Sequence, residues 1–430
     1  MLGGGARTPK APVARDPWLP TGAPVFSGLS RPADAPEPAA CSWSRPVCVH
    51  GAPAVGQEAT LAALSALEAA YEKLVLAIGL PEPLSDWGRG GTDALDLYLQ
   101  PLPSRPLEVG LDSPEPASVD QASGFCVAGT GSGMSWDRIA TLCVAEAIAL
   151  RLDASVSPHL RRGFATHLWR IVGRPESADW RTVDEFQAHP EVAAAKSDRT
   201  PSSGGAGVLF DFLQERLSTA SPGVLATSLL ALAAGKTGPG FPHWDNEPDV
   251  FDVLRHSLED RPRRVANLLG DFAVARVFAG SRDDGTHLPT LGWAGDFARA
   301  RFDWVIRLSS LPRRVASLQP IEPTGSMYVW LDLDQPSDDL TLGFQAEWEA
   351  PVAFHWVLVR IDSEGRELSR VHAPFQQRGT KTDQRMVGLE AAAAVLVAGT
   401  NVGGVDPTHP FDPDVVPFEA HSCTVYLTPL

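Results

Sequence analysis

Ile139-Ala-Thr-Leu-Cys-Val-Ala-Glu-Ala-Ile-Ala-Leu150 and Ser157-Pro-His-Leu-Arg-Arg-Gly-Phe-Ala-Thr-His-Leu-Trp169 decide how this 430-residue chain is read. Both read as helices. Ser135 caps the first, because a serine hydroxyl satisfies a free amide of the opening turn, and that helix runs to about Leu152. The second spans Pro158 to Val172 and carries Leu160, Phe164, Leu168 and Ile171 on one face. Between Ile139 and Leu150 the only charged residue is Glu146.

Upstream of this pair, Gln57 to Ile78 repeats apolar residues mostly at spacings of three and four, then meets Gly79 and Pro81. That is a helix with its stop signal. The glycine turn Gly88-Arg-Gly-Gly91 leads into Ala94-Leu-Asp-Leu-Tyr-Leu99, whose alternation predicts a strand. Two more strands are expected at Pro46–His50 and Gly124–Ala128, and the loop Gly129-Thr-Gly-Ser-Gly133 follows the second. Downstream, from about residue 180, the pattern turns helical, with candidates at Gly207–Leu217, Pro222–Ala234, Val250–Leu258, Pro262–Phe278 and Trp293–Ala300. After Leu311-Pro312 seven β-rich runs follow, from Met327–Leu333 to Cys423–Thr428, with Asp362-Ser-Glu-Gly365 as a hairpin turn. The expected class is α+β. A Pro/Gly-rich arm occupies 1–44, an α/β plus helical domain 45–312, and an antiparallel β-sandwich 313–430.

Hydrophobic residues make up 44% of the chain and charged residues 20%, enough for a sizeable core. The net charge of −16 argues against non-specific binding to nucleic acid or anionic membrane, both of which need a basic face. The longest apolar stretch, Gly223 to Gly235, is too short to span a bilayer. Met1 to Ser30 shows no charged segment followed by an apolar one, so no signal peptide is legible. Five cysteines leave two readings open: buried thiols, or Cys41–Cys48 and Cys126–Cys143 disulfides with Cys423 free. The second requires an oxidising compartment.

Several motifs fail on spacing. Gly235-Lys-Thr237 has Leu230 where a phosphate loop needs glycine. The loop 129–133 is neither GxGxxG nor GxSxG and reads as a tight turn. Asp332, Asp334, Asp338 and Asp339 fit no calcium loop. The eleven histidines form no HxH or HxxxH pair.

The two central helices carry a resemblance. A zinc peptidase helix reads H-E-x-x-H, with the Glu as general base. The same frame here is Ala145-Glu146-Ala-Ile-Ala149. The following helix resembles the W-x-x-E-G-x-A-T-W segment of secreted bacterial gluzincin-type metallopeptidases. Arg162 stands at the position of the third zinc ligand, followed by Gly163, Ala165 and Thr166, while His159 and His167 stand at the Trp positions. Val47–His50, Gln57–Pro81, Arg89–Tyr98 (with its D-x-Y at Asp96 and Tyr98), Val208–Arg216 and Glu322–Tyr328 resemble further family segments in order. The resemblance implies a pseudopeptidase. Ala145, Ala149 and Arg162 replace all three ligands, alanine offers no donor, and neither metal nor cofactor is expected. It also implies a shielded Glu146–Arg162 ion pair, because a buried carboxylate is costly unless paired or protonated. The opposing expectation is an exposed Glu146 and a solvated Arg162.

The expected function is therefore a catalytically inactive binding, structural or assembly component. Its expected partner is a protein, a peptide or further copies of itself, and its expected location is extracellular or at the cell envelope. The alternative is a hydrolase with a non-zinc site, for which Ser132 with His159 or His167 are the candidates.

Overall fold

The computed structural model describes residues 29–101, 107–112, 120–194, 201–218, 220–234, 248–258, 262–295, 297–333, 340–376, 378–404 and 420–430. Gly235-Lys-Thr237, Asp334, Asp338, Asp339 and the first 28 residues of the arm lie outside them. Among the described residues the fold is α+β, and no helix is long and apolar enough to cross a membrane.

The first sheet holds β1 (Ala40–Cys41), β2 (Val47–Gly51), β3 (Leu95–Gln100), β4 (Glu108–Leu111) and β5 (Gly124–Gly129) in the order β1-β2-β3-β5-β4. The three central strands are parallel, and β1 and β4 run antiparallel at the edges. A parallel pair needs a crossover, which α1 (Gln57–Tyr71) supplies between β2 and β3. A π-helical turn, Glu72–Ala77, extends α1 to Gly79, whose φ of +86° suits glycine. Alternation then sorts the sheet. Val49, Leu97, Leu99 and Cys126 face the helices, whereas Tyr98, Phe125 and Val127 form a separate small cluster on the opposite face with Ala35.

Helix α2 (Trp136–Leu152) is capped by Ser135, whose Oγ accepts from the Arg138 amide. It is buried on every side from Arg138 to Leu150, lying between the sheet, α1 and the next helix. α3 (Pro158–Val172) has Ser157 as its cap. α4 (Ser177–Ala188) opens on a Glu176/Asp179 capping box and was not singled out in the sequence. Then come α5 (Gly207–Leu217), α6 (Val224–Ala233), α7 (Val250–Ser257) and α8 (Pro262–Val277). Among the described residues, the helix expected at Trp293–Ala300 is not seen. A 3-10 turn covers Pro289–Ala294, and Gly295 and Ala298 at φ +61° and +63° cannot continue a right-handed helix.

The sandwich pairs two sheets. One is β11 (Glu367–His372), β10 (Val352–Ile361), β13 (Ala394–Gly404), β8 (Ser326–Asp332) and β6 (Trp304–Arg307). The other is β12 (Lys381–Met386), β9 (Leu342–Trp348), β14 (Cys423–Pro429) and β7 (Arg313–Ala316). Three points differ from the sequence reading. Sheet pairing begins at Trp304 rather than at 313, and β6 runs parallel to β8, so the sandwich is not wholly antiparallel. The strand expected at Arg385–Leu389 lies at Lys381–Met386, because Gly388 turns the chain at φ +71°.

Trp348 and Trp356 fill the space between the sheets, while Trp330 is half-buried against Phe302. On its outer face the five-stranded sheet receives α8: Ala273, Val274 and Val277 pack on Val357, Val359 and Leu396. Burial on both faces explains why β10 reads as a continuous apolar run.

Candidate functional site

Glu146 lies midway along α2 and is 1% exposed, and its neighbours in the frame, Ala145 and Ala149, are fully buried. Arg162 Nε stands 2.7 Å from Glu146 Oε1. Arg161 Nε donates to Glu146 Oε2 at 3.3 Å, and Arg161 is itself 1% exposed. Arg162 also donates from Nη2 to the Leu107 carbonyl at 2.9 Å, tying α3 to the approach of β4. The carboxylate is thus enclosed by two guanidinium groups. The residues do not fit the zinc set of the resembled family, since positions 145 and 149 present methyl groups and position 162 presents a cation. Sequence reasoning named Arg162 and missed Arg161, its neighbour on the same helix.

Gly163 has a steric reason for its place. A Cβ there would lie 2.9 Å from the Ala206 carbonyl carbon and from the Gly207 nitrogen, so α3 meets the start of α5 backbone to backbone. One turn on, His167 Nδ1 contacts Asp211 Oδ1 at 2.6 Å, and Arg170 Nη2 lies 2.5 Å from Asp211 Oδ2. Burial pushes the Asp211 carboxyl up, but Arg170 and His167 outweigh it and hold it below the ordinary carboxylate range. This second buried knot fastens α3 to α5.

The serine–histidine candidates are not assembled. Ser132 precedes α2 and His159 follows it, so the length of a seventeen-residue helix, about 25 Å, separates them. His167 is turned to Asp211 on α5.

Both disulfides are formed. Cys41–Cys48 joins β1 to β2 across a paired register, and Cys126–Cys143 joins β5 to α2. Cys423 is free and buried in the sandwich, where burial pushes its thiol far up.

A cleft of about 440 Å³ opens where α5 and α8 meet β11, walled by Phe212, Asp271, His287, Arg370 and His372. His287 is held between Asp284 (Nδ1–Oδ2, 2.9 Å) and Glu367 (Nε2–Oε2, 3.0 Å). Burial alone would lower its pKa; its bonds to these two carboxylates reverse the sign and push it up to about 9. Arg370 binds Asp271 at 2.5 Å and Glu367 at 2.7 Å. Behind them His355 Nε2 meets His372 Nδ1 at 2.8 Å, and burial next to His372 drives His355 down to about 3. Arg370 Nη2 also lies 2.6 Å from His287 Nε2, so these two cations meet directly and share Glu367, with Asp284 and Asp271 on their outer sides. Two of its pairs are local, Asp284 with His287 and Glu367 with Arg370 three positions apart, but the contacts that assemble the wall join residues 83 to 99 positions apart.

No family model matches the chain, and no curated protein matches it. Among solved structures, the pre-peptidase C-terminal domain of a collagenase from Bacillus anthracis is similar over 30% of this chain and 100% of that one, at 8% identity and a TM-score of 0.21. The insecticidal delta-endotoxin Cry8Ea1 from Bacillus thuringiensis is similar over 31% of this chain and 26% of that one, at 10% identity and a TM-score of 0.18. At these scores neither likeness bears on fold or function, and the metallopeptidase resemblance rests on the sequence segments alone.

Proposed function

We propose that this chain is a metallopeptidase-like protein without peptidase activity, acting as a binding or assembly component outside the cytoplasm. The observation that carries the reading is the enclosure of Glu146 by Arg161 and Arg162 between two buried alanines. A general base must reach a metal-bound water and its substrate. Here the carboxylate is instead engaged by two cations of α3 and holds α2 against α3. The two disulfides support an oxidising compartment, hence an extracellular or envelope location. The partner is a protein or peptide, or further copies of the chain.

The test is elemental analysis of protein purified without chelator, run beside a casein-cleavage assay. We expect no stoichiometric zinc and no cleavage. A variant carrying Ala145→His, Ala149→His and Arg162→Glu should gain one zinc per chain if the frame is a relic. Zinc and cleavage in the wild type, or a folded triple variant that takes no zinc, would overturn the reading.

A further inference from the structure

The face of the first sheet turned away from the helices carries His50, Asp96, Tyr98, Phe125 and Val127, and residues 29–38 of the amino-terminal arm lie across it. The arm is anchored there by two side chains. Ala35 is buried against Tyr98 and Phe125, and its carbonyl accepts from His50 Nδ1 at 3.0 Å. Arg31 is the second anchor. A guanidinium has five N–H donors in a rigid fork, and here each one is matched. Nε donates to Asp112 Oδ1 at 3.2 Å. Nη1 donates to Asp96 Oδ2 at 2.5 Å and to the Tyr98 hydroxyl at 3.0 Å. Nη2 donates to Asp86 Oδ2 at 2.8 Å and to Asp112 Oδ2 at 2.9 Å. The Phe125 ring lies 4.8 Å beneath the guanidinium carbon.

The socket is more than a salt bridge needs. One carboxylate neutralises one arginine, yet three converge here, at 1%, 0% and 7% exposure for Asp86, Asp96 and Asp112. Like charges buried together are costly. Burial pushes the Asp86 carboxyl up to about 6 even with Arg31 beside it. The three carboxylates are also oriented by groups that do not belong to the arm. Gly88 and Gly90 amides donate to Asp86, His50 Nε2 meets Asp96 Oδ1, and the Ser123 hydroxyl donates to Asp112. Gly90 is required by contact, since a Cβ there would fall 1.7 Å from Asp96 Oδ2. The geometry is thus fixed by the domain and fitted to a planar, five-donor cation.

We infer that this socket is an arginine-recognition site, filled in cis by Arg31, and that it takes an arginine-bearing peptide in trans when the arm yields. The arm acts as a tethered competitor whose effective concentration is set by its own attachment. The inference does not depend on the fate of Glu146. It predicts selectivity for arginine over lysine, because an ammonium has three donors on a point charge and cannot satisfy three carboxylates and a phenol at once.

The probe is a labelled peptide of residues 29–39, with Arg31 or with Lys in its place, titrated into the full-length Arg31→Ala chain and read by anisotropy. We expect the arginine peptide to bind Arg31→Ala at least tenfold more tightly than the lysine peptide. We also expect it to bind the wild type at least tenfold more weakly, because the native arm competes. A folded Arg31→Ala chain that binds both peptides alike, or neither, overturns the inference. If Arg31→Ala does not fold, amide exchange in the wild type decides. The Ala39 amide, bonded to the Val49 carbonyl at 2.9 Å, should exchange faster with the arginine peptide than with the lysine peptide, and equal rates overturn the inference.

Discussion

Replacing Glu146 by Gln removes the charge that two arginines share and leaves the shape of the site in place. The gross attraction at stake follows from the distances. At 2.7 Å and 3.3 Å, with an effective dielectric of about 20, the contacts carry about 6 and about 5 kcal/mol. Most of that is offset by the desolvation of three ions and by repulsion between the two guanidinium groups. The net loss when one partner of a buried pair is removed is about 3–5 kcal/mol, because the remaining charges stay buried without compensation. Here Arg161, at 1% exposed, cannot reach water to recover the loss. Urea unfolding is the suitable assay, since urea is uncharged and leaves the ionic strength constant through the titration. With an m-value of about 3 kcal/mol/M, the midpoint should fall by about 1–2 M at unchanged slope. An apolar replacement of all three residues, Glu146→Met with Arg161→Met and Arg162→Met, should return the unfolding free energy to within about 1 kcal/mol of wild type or raise it. A loss below about 1 kcal/mol for Glu146→Gln would refute the buried-pair reasoning. A triple variant as unstable as the single one would show that ionic character itself is required.

Three further outcomes are expected. His287, with its pKa pushed up to about 9 against an ordinary 6.5, binds its proton more tightly in the folded state. Its stabilising contribution is complete below about pH 6.5 and is lost between 6.5 and 9. The stability gap between wild type and His287→Gln should therefore be widest near pH 6, about 3 kcal/mol at most, and should shrink toward pH 9; a gap constant with pH would contradict the pairing with Asp284 and Glu367. Cys126→Ala with Cys143→Ala opens a loop of 17-residue separation and should cost about 3 kcal/mol in urea melts, while a non-reducing peptide map should show both disulfides and a free Cys423. Gly163→Ala should cost about 1–3 kcal/mol, since the added methyl meets backbone atoms that cannot rotate away; a neutral result would mean that α3 and α5 separate freely.

The elements legible in the sequence are those written within a few turns of chain. α3 at Pro158–Val172 and α5 at Gly207–Leu217 occupy the expected residues, because apolar spacing and the proline start act locally. β10 and β11 flank the turn expected at Asp362–Gly365, where Gly365 takes φ +83°. The less legible elements owe their form to neighbours. β6 becomes a strand because β8 offers a parallel edge, its paired residues 25 positions further along the chain, and no alternation marks its four residues. The segment after Pro289 looks helical in composition but is bent by left-handed residues whose cost the surrounding packing meets.

For the site the same division holds. It was the family resemblance, not helical spacing, that placed Arg162 opposite Glu146, and the packed helices bring the two within 2.7 Å. The part played by Arg161, the Asp211 knot, the charged cleft at β11 and the Arg31 socket came only with tertiary structure. Charged side chains carry no periodic mark of their partners, and Arg31 meets Asp86, Asp96 and Asp112 across 55 to 81 residues of chain. The sequence by itself determined the α+β class, the central helix pair and the absence of donor groups at 145 and 149, because propensity, capping and residue chemistry are local. Which charges are buried together, and which face of the first sheet the arm covers, was decided by the packed fold, because burial and Coulomb pairing depend on distances that only folding sets.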